Sequence, residues 1–286
     1  STDHNPSQSK INPYLGGLNA TLEAMRNVAA VGATPHALSD CLCFGNPEKP
    51  HQMWEFVEAV KGVSDACKGV KLKEHPDSPT PIIAGNVSFY NESKSGSIPP
   101  SPIISCLGKM DNVDRAITMS FKKINSKIFM IGKRKDELGG SLYYNLFGEL
   151  GANVPSPDLN EVKYQIYAIT DCIDNKLIAS CHDISDGGIA IALSEMTFEN
   201  NIGCSVTIPG ELSIEKLLFS ETGGFIIEVE NSKIENVNEI FNKYNISLAL
   251  IGETSKDQKL IINDAINIKV EEMKDLWTNG LRDKIK

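Results

Sequence analysis

Two different spacings of apolar residues alternate along the whole chain of 286 residues. Short runs that are typical of strands are separated by longer segments in which apolar residues recur every three or four positions, as in helices. The helical spacing is clearest around Leu22, Val60 and Ile166. A chain of this length seldom folds around one core. The alternation therefore predicts an α/β (α+β) fold of two domains, residues 1–114 and 115–286.

The charge balance argues against two classes of partner. The net charge is −9, from 28 Lys and Arg against 37 Asp and Glu. Nucleic acids and anionic membranes are bound by clustered Lys and Arg, so we expect neither as a partner. A phosphorylated small molecule stays possible, because backbone N–H groups and Mg²⁺ can hold its phosphates. No apolar run approaches the length of a membrane span.

The cysteines predict a reducing compartment. There are seven of them, no two form a CxxC pair, and most lie in apolar runs, where free Cys behaves as a small hydrophobe. This favours the cytoplasm over a disulfide scaffold or a zinc site. The chain begins at Ser1 without Met or a signal peptide. We therefore expect it to be trimmed or excised.

The segment Ala84–Asn91 is the first of four patterns that suggest chemistry. A glycine beside an apolar run, here Gly85, lets a ligand or another backbone approach closely. Asn86 and Ser88 are two positions apart, so an extended segment places both on one face, suited to phosphate oxygens or hydrated Mg²⁺. The alternative is a bulged core strand whose polar groups satisfy neighbouring backbone.

The second pattern is Ser39–Pro47, where Asp40 follows an apolar strand. A carboxylate at the exit of a buried strand is costly unless it is paired, hydrogen-bonded or near a metal. Asp40 is therefore either a ligand-binding residue or a turn residue for the Gly45–Pro47 corner. The residues alone leave both readings open.

The third pattern, His182–Gly188, lies between a predicted strand and a predicted helix. Ser185 and Asp186 are good N-cap residues for that helix. Capping accounts for one of them and leaves Asp183 free to face a metal. A single histidine such as His182 is more often structural than catalytic.

The fourth pattern is Glu23 with Asn27, four residues apart and therefore on one helix face. Their oxygens suit Mg²⁺, although such pairs are also common on solvent-exposed helices. A glycine-rich loop, Asp136–Ser141, precedes another predicted helix and gives a weak phosphate signal. The proline-rich stretch Lys71–Pro81 predicts a polar loop.

Taken in order, these patterns resemble the second half of the small form of phosphoribosylformylglycinamidine synthase. Two stretches, Phe44–Pro50 and Gly85–Asn91, carry the most specific resemblance. Three more, Val31–Pro35, Asp136–Ser141 and Asp183–Gly188, are shared with the wider aminoimidazole ribonucleotide synthetase (PurM-like) superfamily. Asn12–Gly17 and Glu23–Asn27 also match, so the resemblance covers essentially the whole chain.

The resemblance implies a two-domain PurM-like architecture. Its N-terminal domain pairs sheet to sheet with the counterpart in the first half of the enzyme, and a larger α/β domain follows. The implied reaction is ATP- and Mg²⁺-dependent: formylglycinamide ribonucleotide and glutamine-derived ammonia give the amidine of purine biosynthesis. The enzyme would be a carbon–nitrogen ligase that works by positioning and charge neutralisation.

The resemblance also implies roles for single residues. Asp40 and Gly85 match ATP contacts, Asn86 matches a Mg²⁺ ligand, and Ser88 matches a substrate contact. In large-form relatives, the positions of four residues hold an auxiliary nucleotide through Mg²⁺: Asp3, Glu23, Asn27 and Asp183. No catalytic residue is expected in this chain, because the family's catalytic histidine belongs to the first half. We therefore expect the chain to be inactive alone.

The implied partners are the N-terminal half of the enzyme, its glutaminase and small accessory subunits, and the ribonucleotide substrate. A chain isolated from that half would expose its pairing surface and is expected to form a homodimer. Two alternatives remain. One is a stand-alone PurM-like ATP-dependent enzyme, such as a selenophosphate synthetase or thiamine phosphate kinase. The other is a non-catalytic nucleotide-binding or scaffold module.

Overall fold

A computed structural model describes residues 1–285. The first part of the chain, residues 2–109, forms a sheet with helices on one face. The elements of this part, in chain order, are β1 (Thr2–Asp3), α1 (Pro6–Ile11), α2 (Pro13–Ala30), β2 (Thr34–Cys43), α3 (Pro50–Gly69), β3 (Lys71–Leu72), β4 (His75–Pro79), β5 (Ile82–Ser88), β6 (Glu92–Ser93), β7 (Gly96–Ser97) and β8 (Ser101–Lys109).

The sheet of the first part has the strand order β1-β8-β2-β5. β2 and β5 run parallel, whereas β8 is antiparallel to both β1 and β2. The helix-facing side of β2 is apolar, since Leu38 and Leu42 are buried there. β5 is an edge strand and almost entirely exposed. The sheet therefore has one covered face, one open face and one exposed edge.

Helix α2 is held at its start by its own sequence. The side chain of Asn12 accepts a hydrogen bond from the N–H of Leu15, and Pro13 occupies the first helical position, where it needs no N–H. Gly17 and Gly62 let α2 and α3 pack closely, because a Cβ at either glycine would collide with the backbone of the facing helix. This packing fixes the helical layer over the first sheet.

The second part contains a larger sheet. Its elements, in chain order, are β9 (Lys127–Ile131), α4 (Leu142–Asn145), α5 (Leu159–Asp174), β10 (Ser180–Ile184), α6 (Gly188–Phe198), β11 (Gly203–Val206), α7 (Ile214–Phe219), β12 (Gly224–Val229), α8 (Ile234–Lys243), β13 (Leu248–Ser255), β14 (Lys259–Ile262), β15 (Ile266–Lys269) and α9 (Val270–Lys284). The strand order is β10-β12-β9-β13-β11-β14-β15, and only β11 and β14 pair in parallel.

The two parts share one apolar core. Residues of α2, such as Leu22, belong to the same buried cluster as Ile166 of α5 and Phe225 of β12. A second cluster, which includes Leu193 of α6, covers the other face of the larger sheet. The division after residue 114 stays a prediction. No helix of residues 1–285 is both long and apolar enough to cross a bilayer.

Three local predictions were wrong. The stretch Lys71–Pro81 is not a plain loop but contains the hairpin β3–β4. The helix expected after Ser141 is a single turn, and Leu146 is 82% exposed. Neither Ser185 nor Asp186 caps α6, because Gly187 takes the N-cap position with a φ of 74°.

Candidate functional site

Asp40 and Gly85 lie side by side on the helix-facing side of the first sheet. They are paired in register between β2 and β5. A Cβ at residue 85 would be 2.6 Å from Oδ1 of Asp40, so only glycine leaves room for the carboxylate. Burial raises the pKa of Asp40, while a hydrogen bond from the backbone N–H of Asn86 opposes the rise. Asp40 lies within β2 rather than at its exit, because the strand continues to Cys43.

Asn86 and Ser88 lie on the opposite, open face of the sheet. They are in register with Cys41 and Cys43, and alternate residues of a strand share a face. The Asn86 amide contacts the Cys41 sulfur at 3.7 Å, and Ser88 Oγ accepts a hydrogen bond of 3.0 Å from Asn91. The four residues matched to ATP, Mg²⁺ and substrate are thus neighbours, but they present side chains to two faces.

Asp3, Glu23 and Asn27 come together between the sheet and α2. Nδ2 of Asn27 donates to Oδ2 of Asp3 at 3.3 Å. Burial raises the pKa of Glu23 to about 8, against the opposing charge of Arg26 and with support from Asp183 and other nearby carboxylates. Residues from three distant segments therefore form one acidic group.

Asp183 enters this group from β10 in the second part of the chain. It is 2% exposed, and its Oδ2 has no hydrogen-bond partner within the described residues. Its Oδ1 lies 3.2 Å from Nδ1 of His182, whose Nε2 lies 2.8 Å from Glu195. Burial alone would lower the pKa of His182, but both carboxylates raise it to about 9. A buried, unpartnered carboxylate oxygen is the kind of group that a cation would satisfy.

Asp186 is the member of this acidic group that the sequence reading missed. It is open to the cavity described below, yet burial raises its pKa, and the charges of Asp3 and Asp183 add to the effect. The sequence signal was present, since Asp186 is three residues after Asp183, but it was interpreted as a helix cap. The actual acceptor for the Gly187 N–H is Glu221, at 3.0 Å.

The acidic group suits a hard cation in its chemistry but is not a closed metal site. Carboxylate and amide oxygens are the ligands that Mg²⁺ prefers, usually with several waters retained. Within residues 1–285, no three His, Cys, Asp or Glu side chains are already arranged around a common metal position. The residues therefore fit Mg²⁺ held partly through water and ligand phosphates, rather than in an all-protein cage.

A cavity of about 490 Å³ lies beside the acidic group, between α2 and the second part of the chain. Glu23 and Asp186 line it at the acidic group, and Tyr164 and Tyr244 are also in its wall. Its cationic lining residues are Arg26, Lys133 and Lys135. Volumes of this order accept small organic ligands. The cavity thus combines acidic, basic and aromatic groups, as a phosphorylated ligand with a metal would require.

Glu221 is a second residue that the sequence reading missed. Its Oε1 accepts hydrogen bonds from the N–H groups of Gly187 and Leu142, and its Oε2 accepts one from Gln8. Burial raises the pKa of Glu221 to about 7, while the N–H donors of Gly187 and Leu142 oppose the rise. It joins α1, α4 and α6 at the cavity wall. No local pattern around residue 221 indicates this, because its partners are distant in sequence.

Two family models match the chain. "AIR synthase related protein, N-terminal domain" matches residues 1–110, and "AIR synthase related protein, C-terminal domain" matches residues 123–264. The chain belongs to the AIR synthase related family. The family expected from the motifs and the two-domain PurM-like α/β (α+β) architecture are therefore confirmed.

Two curated relatives of this AIR synthase related chain are each named phosphoribosylformylglycinamidine synthase subunit PurL. The protein from Methanothrix thermoacetophila is 44% identical over 292 residues, covering 100% of this chain and 38% of the relative. The protein from Thermococcus sibiricus is 38% identical over 287 residues, covering 97% of this chain and 38% of the relative. The chain thus spans less than half of the length of these relatives.

Solved structures confirm the fold. T. maritima PurL complexed with FGAR superposes with a TM-score of 0.77 at 16% identity, covering 96% of this chain and 45% of that one. Hydrogenase maturation protein HypE in complex with ATP superposes with a TM-score of 0.67 at 16% identity, covering 94% and 83%. At such identities the likeness concerns the fold alone.

Proposed function

We propose that this chain is the C-terminal half of a phosphoribosylformylglycinamidine synthase. The observation that carries the proposal is the 44% identity to a PurL subunit across the full length of this chain, combined with coverage of only 38% of that relative. The substrates would be formylglycinamide ribonucleotide, ATP and glutamine-derived ammonia. The reaction would be the ligation that forms the amidine.

In this proposal, the β2–β5 pair contributes to the ATP and substrate site from both faces of the sheet, at its free edge. Asp40 and Gly85 would contact ATP, and Asn86 would hold Mg²⁺, which neutralises phosphate charge when bound. Ser88, fixed by Asn91, would contact the ribonucleotide. None of these groups is placed to act as a general acid or base, so this chain would position ligands while the N-terminal half supplies the catalytic histidine.

The first sheet would be completed by the N-terminal half. Its open face carries Leu107, 58% exposed, and the edge strand β5 carries Ile83, 67% exposed, and Val87, 46% exposed. Exposed apolar groups on a sheet with a free edge indicate a surface that a partner covers. In the chain alone, a second copy would use the same surface. The glutaminase and small accessory subunits would bind to the completed enzyme.

The cavity and its acidic group would form the auxiliary nucleotide site. Asp3, Glu23, Asn27 and Asp183 would hold the Mg²⁺ of the nucleotide. The observation that supports this is Oδ2 of Asp183, which is buried without a partner beside three other oxygen-bearing side chains. Asp186 would join them. The cavity also carries basic and aromatic groups, which suit the phosphates and the base of a nucleotide.

The half-enzyme proposal is tested by reconstitution. The chain of 286 residues and a separately expressed N-terminal half are assayed for amidine formation, alone and mixed, with ATP, Mg²⁺, ammonia and the ribonucleotide. We expect product only in the mixture, and a large loss with Asn86→Ala but not with Asn238→Ala, a change at an exposed position of helix α8. Product formation by this chain alone would refute the proposal.

One observation favours a second candidate, a stand-alone PurM-like ATP-dependent enzyme. The fold that this chain shares with HypE spans 83% of that chain, and HypE was solved in complex with ATP. Such an enzyme would hydrolyse or transfer phosphate from ATP without any other polypeptide. Release of ADP or AMP by the purified chain, abolished by Asp183→Asn, would select this candidate over the half-enzyme.

A further inference from the structure

Arg26 is a buried cation that forms no direct ion pair within the described residues, although the charge of Glu23, one helical turn away, acts on it. It lies in α2, is 4% exposed and lines the cavity. Its Nε has no hydrogen-bond partner, and across residues 1–285 its guanidinium neither donates a hydrogen bond nor meets a carboxylate oxygen within 4.0 Å. Burying a charge in this way costs several kcal/mol unless an anion compensates it. The proposed roles of Glu23 and Asn27 leave this residue between them unexplained.

A second buried arginine increases the local positive charge. Two N–H groups of Arg134 donate to backbone carbonyls, including that of Thr222 at 2.7 Å and that of Gly223 at 3.4 Å. Burial lowers the pKa of Arg134 to about 10, and the charge of Arg26 contributes, against the opposing effect of Glu137. These carbonyl groups accept hydrogen bonds from Arg134, and Arg26 donates none to them.

Gly223 shapes the position of the Arg26 guanidinium. A Cβ on residue 223 would lie 2.6 Å from Nη1 and 2.7 Å from Cζ of Arg26. The guanidinium therefore lies against a glycine, at the wall of the cavity that Arg26 lines. Lys133 and Lys135 line the same cavity, and Lys135 is partly engaged by the carbonyl of Ser156 at 3.1 Å. The cavity wall beside Gly223 is therefore positively charged.

We propose that Arg26, set against Gly223 and assisted by Lys133, is a subsite for the phosphoryl group of a phosphorylated small molecule. A guanidinium fork matches two phosphate oxygens, and such charge-assisted bonds are among the strongest in proteins. The carboxylates of the acidic group repel a phosphate that carries no metal, whereas the guanidinium of Arg26 attracts it, so the ligand places its phosphoryl group at Arg26. The inference rests on the proposed nucleotide site only for the remainder of the ligand.

The test is a comparison of thermal stability and binding in phosphate-free buffer, with inorganic phosphate as the probe. Phosphate should raise the Tm of the wild-type chain, because a ligand that binds only the native state stabilises it. Arg26→Met should abolish this rise. In phosphate-free buffer, Arg26→Met should also be at least as stable as wild type, since it removes a buried charge that has no direct ion-pair partner.

A matched control and a second variant make the test decisive. Arg115→Met removes a surface arginine paired with Asp174 at 3.4 Å and should leave the response to phosphate unchanged. Gly223→Ala keeps the charge but displaces the guanidinium. It should weaken phosphate binding about 10- to 100-fold, the range expected for loss of a charge-assisted hydrogen bond. A phosphate response that persists in both Arg26→Met and Gly223→Ala would overturn the proposal.

The source of the phosphoryl group is identified by competition. Displacement of phosphate by ADP without Mg²⁺ would assign the subsite to the nucleotide, and displacement by ribose 5-phosphate would assign it to a ribonucleotide. Loss of Mg²⁺-ADP binding in Asn27→Ala with an intact phosphate response would separate the two proposals. If wild type binds phosphate through Arg26 but does not bind Mg²⁺-ADP, the proposal of an auxiliary nucleotide site is refuted and the proposal of a phosphoryl subsite is supported.

Discussion

The carboxylate of Asp40 covers Gly85 so closely that a Cβ on residue 85 would lie 2.6 Å from Oδ1. The same cross-strand row continues through Ile104 to Asp3 at the other side of the sheet. Two strand spacings, roughly 10 Å, therefore separate the backbones of Asp40 and Asp3. The proposed ATP contact and the proposed auxiliary site thus lie on one face of one sheet, with the buried side chain of Ile104 between them.

Gly85→Ala should destabilise the chain by about 1–2 kcal/mol, because the new methyl group forces Asp40 out of its position. The backbone N–H of Asn86 would then lose the carboxylate that it contacts. Urea unfolding of the single variants and of Asp40→Ala/Gly85→Ala measures the effect. We expect a coupling of at least about 0.5 kcal/mol between the two sites. Strict additivity would show that the close approach has no energetic consequence.

Glu23 should make the metal-free chain less stable as the pH rises. The pKa of Glu23 is raised from 4.5 to about 8, so between these values the native state binds a proton that the unfolded state has lost. Its contribution is therefore most favourable below pH 4.5 and declines up to about pH 8, by at most about 1.4 kcal/mol per unit. Glu23→Gln should remove this part of the slope.

Mg²⁺ should reverse the effect of Glu23, because the cation replaces the proton. Its stabilisation of wild type should be larger at pH 8 than at pH 6, as measured by Tm. Glu23→Gln should reduce the difference, whereas Glu239→Gln, on the distant helix α8, should not. Equal Mg²⁺ stabilisation at both pH values would contradict the role of Glu23 as a ligand.

His182 should stabilise the fold as a cation. The pKa of His182 is raised from 6.5 to about 9, so its favourable contribution is complete below about pH 6.5 and is lost as the pH rises through 9. His182→Gln should therefore cost most near pH 6, and the difference from wild type should shrink towards pH 9.5. Urea titrations at both pH values measure it. A cost that grows with pH would mean that the ring is neutral between Asp183 and Glu195.

Asp171 should matter more to stability than Lys73, although the two form one ion pair at 2.6 Å. Asp171 also accepts hydrogen bonds from Tyr244 at 2.7 Å and Lys243 at 3.2 Å. Asp171→Asn leaves three donors poorly paired and should cost about 2–3 kcal/mol. Lys73→Met leaves the carboxylate with two donors and should cost about 1 kcal/mol. Denaturant midpoints reporting equal costs would argue against this hierarchy.

The Lys73–Asp171 pair also shows why the sequence did not predict the hairpin in the stretch 71–81. Its prolines exclude a helix, and β4 is exposed along its whole length, so the local sequence carries no apolar alternation. The hairpin is stabilised by contacts beyond its own sequence, including those of Lys73 with α5. Residues 98 positions apart decide its conformation. Periodicity cannot report such contacts.

The sequence by itself determined the elements whose information is local. The helical spacing around Leu22 and Ile166 and the prolines at helix starts are set by neighbours within one or two turns. The motifs likewise fixed the family, and they named Asp40, Gly85, Asp3 and Asp183 as candidates. Alternation in a strand was enough to place Asn86 and Ser88 on one face.

Only the tertiary structure decided how these groups meet. It placed Asp40 and Asn86 on opposite faces of the sheet, gathered Asp3, Glu23 and Asp183 from three segments, and left the Nε of Arg26 buried without a hydrogen-bond partner. Burial and charge interactions depend on distance in space, which the packing of α2 between the two sheets sets. The sequence determines the chemical type of each residue, whereas the folded structure determines its charge state and its partners.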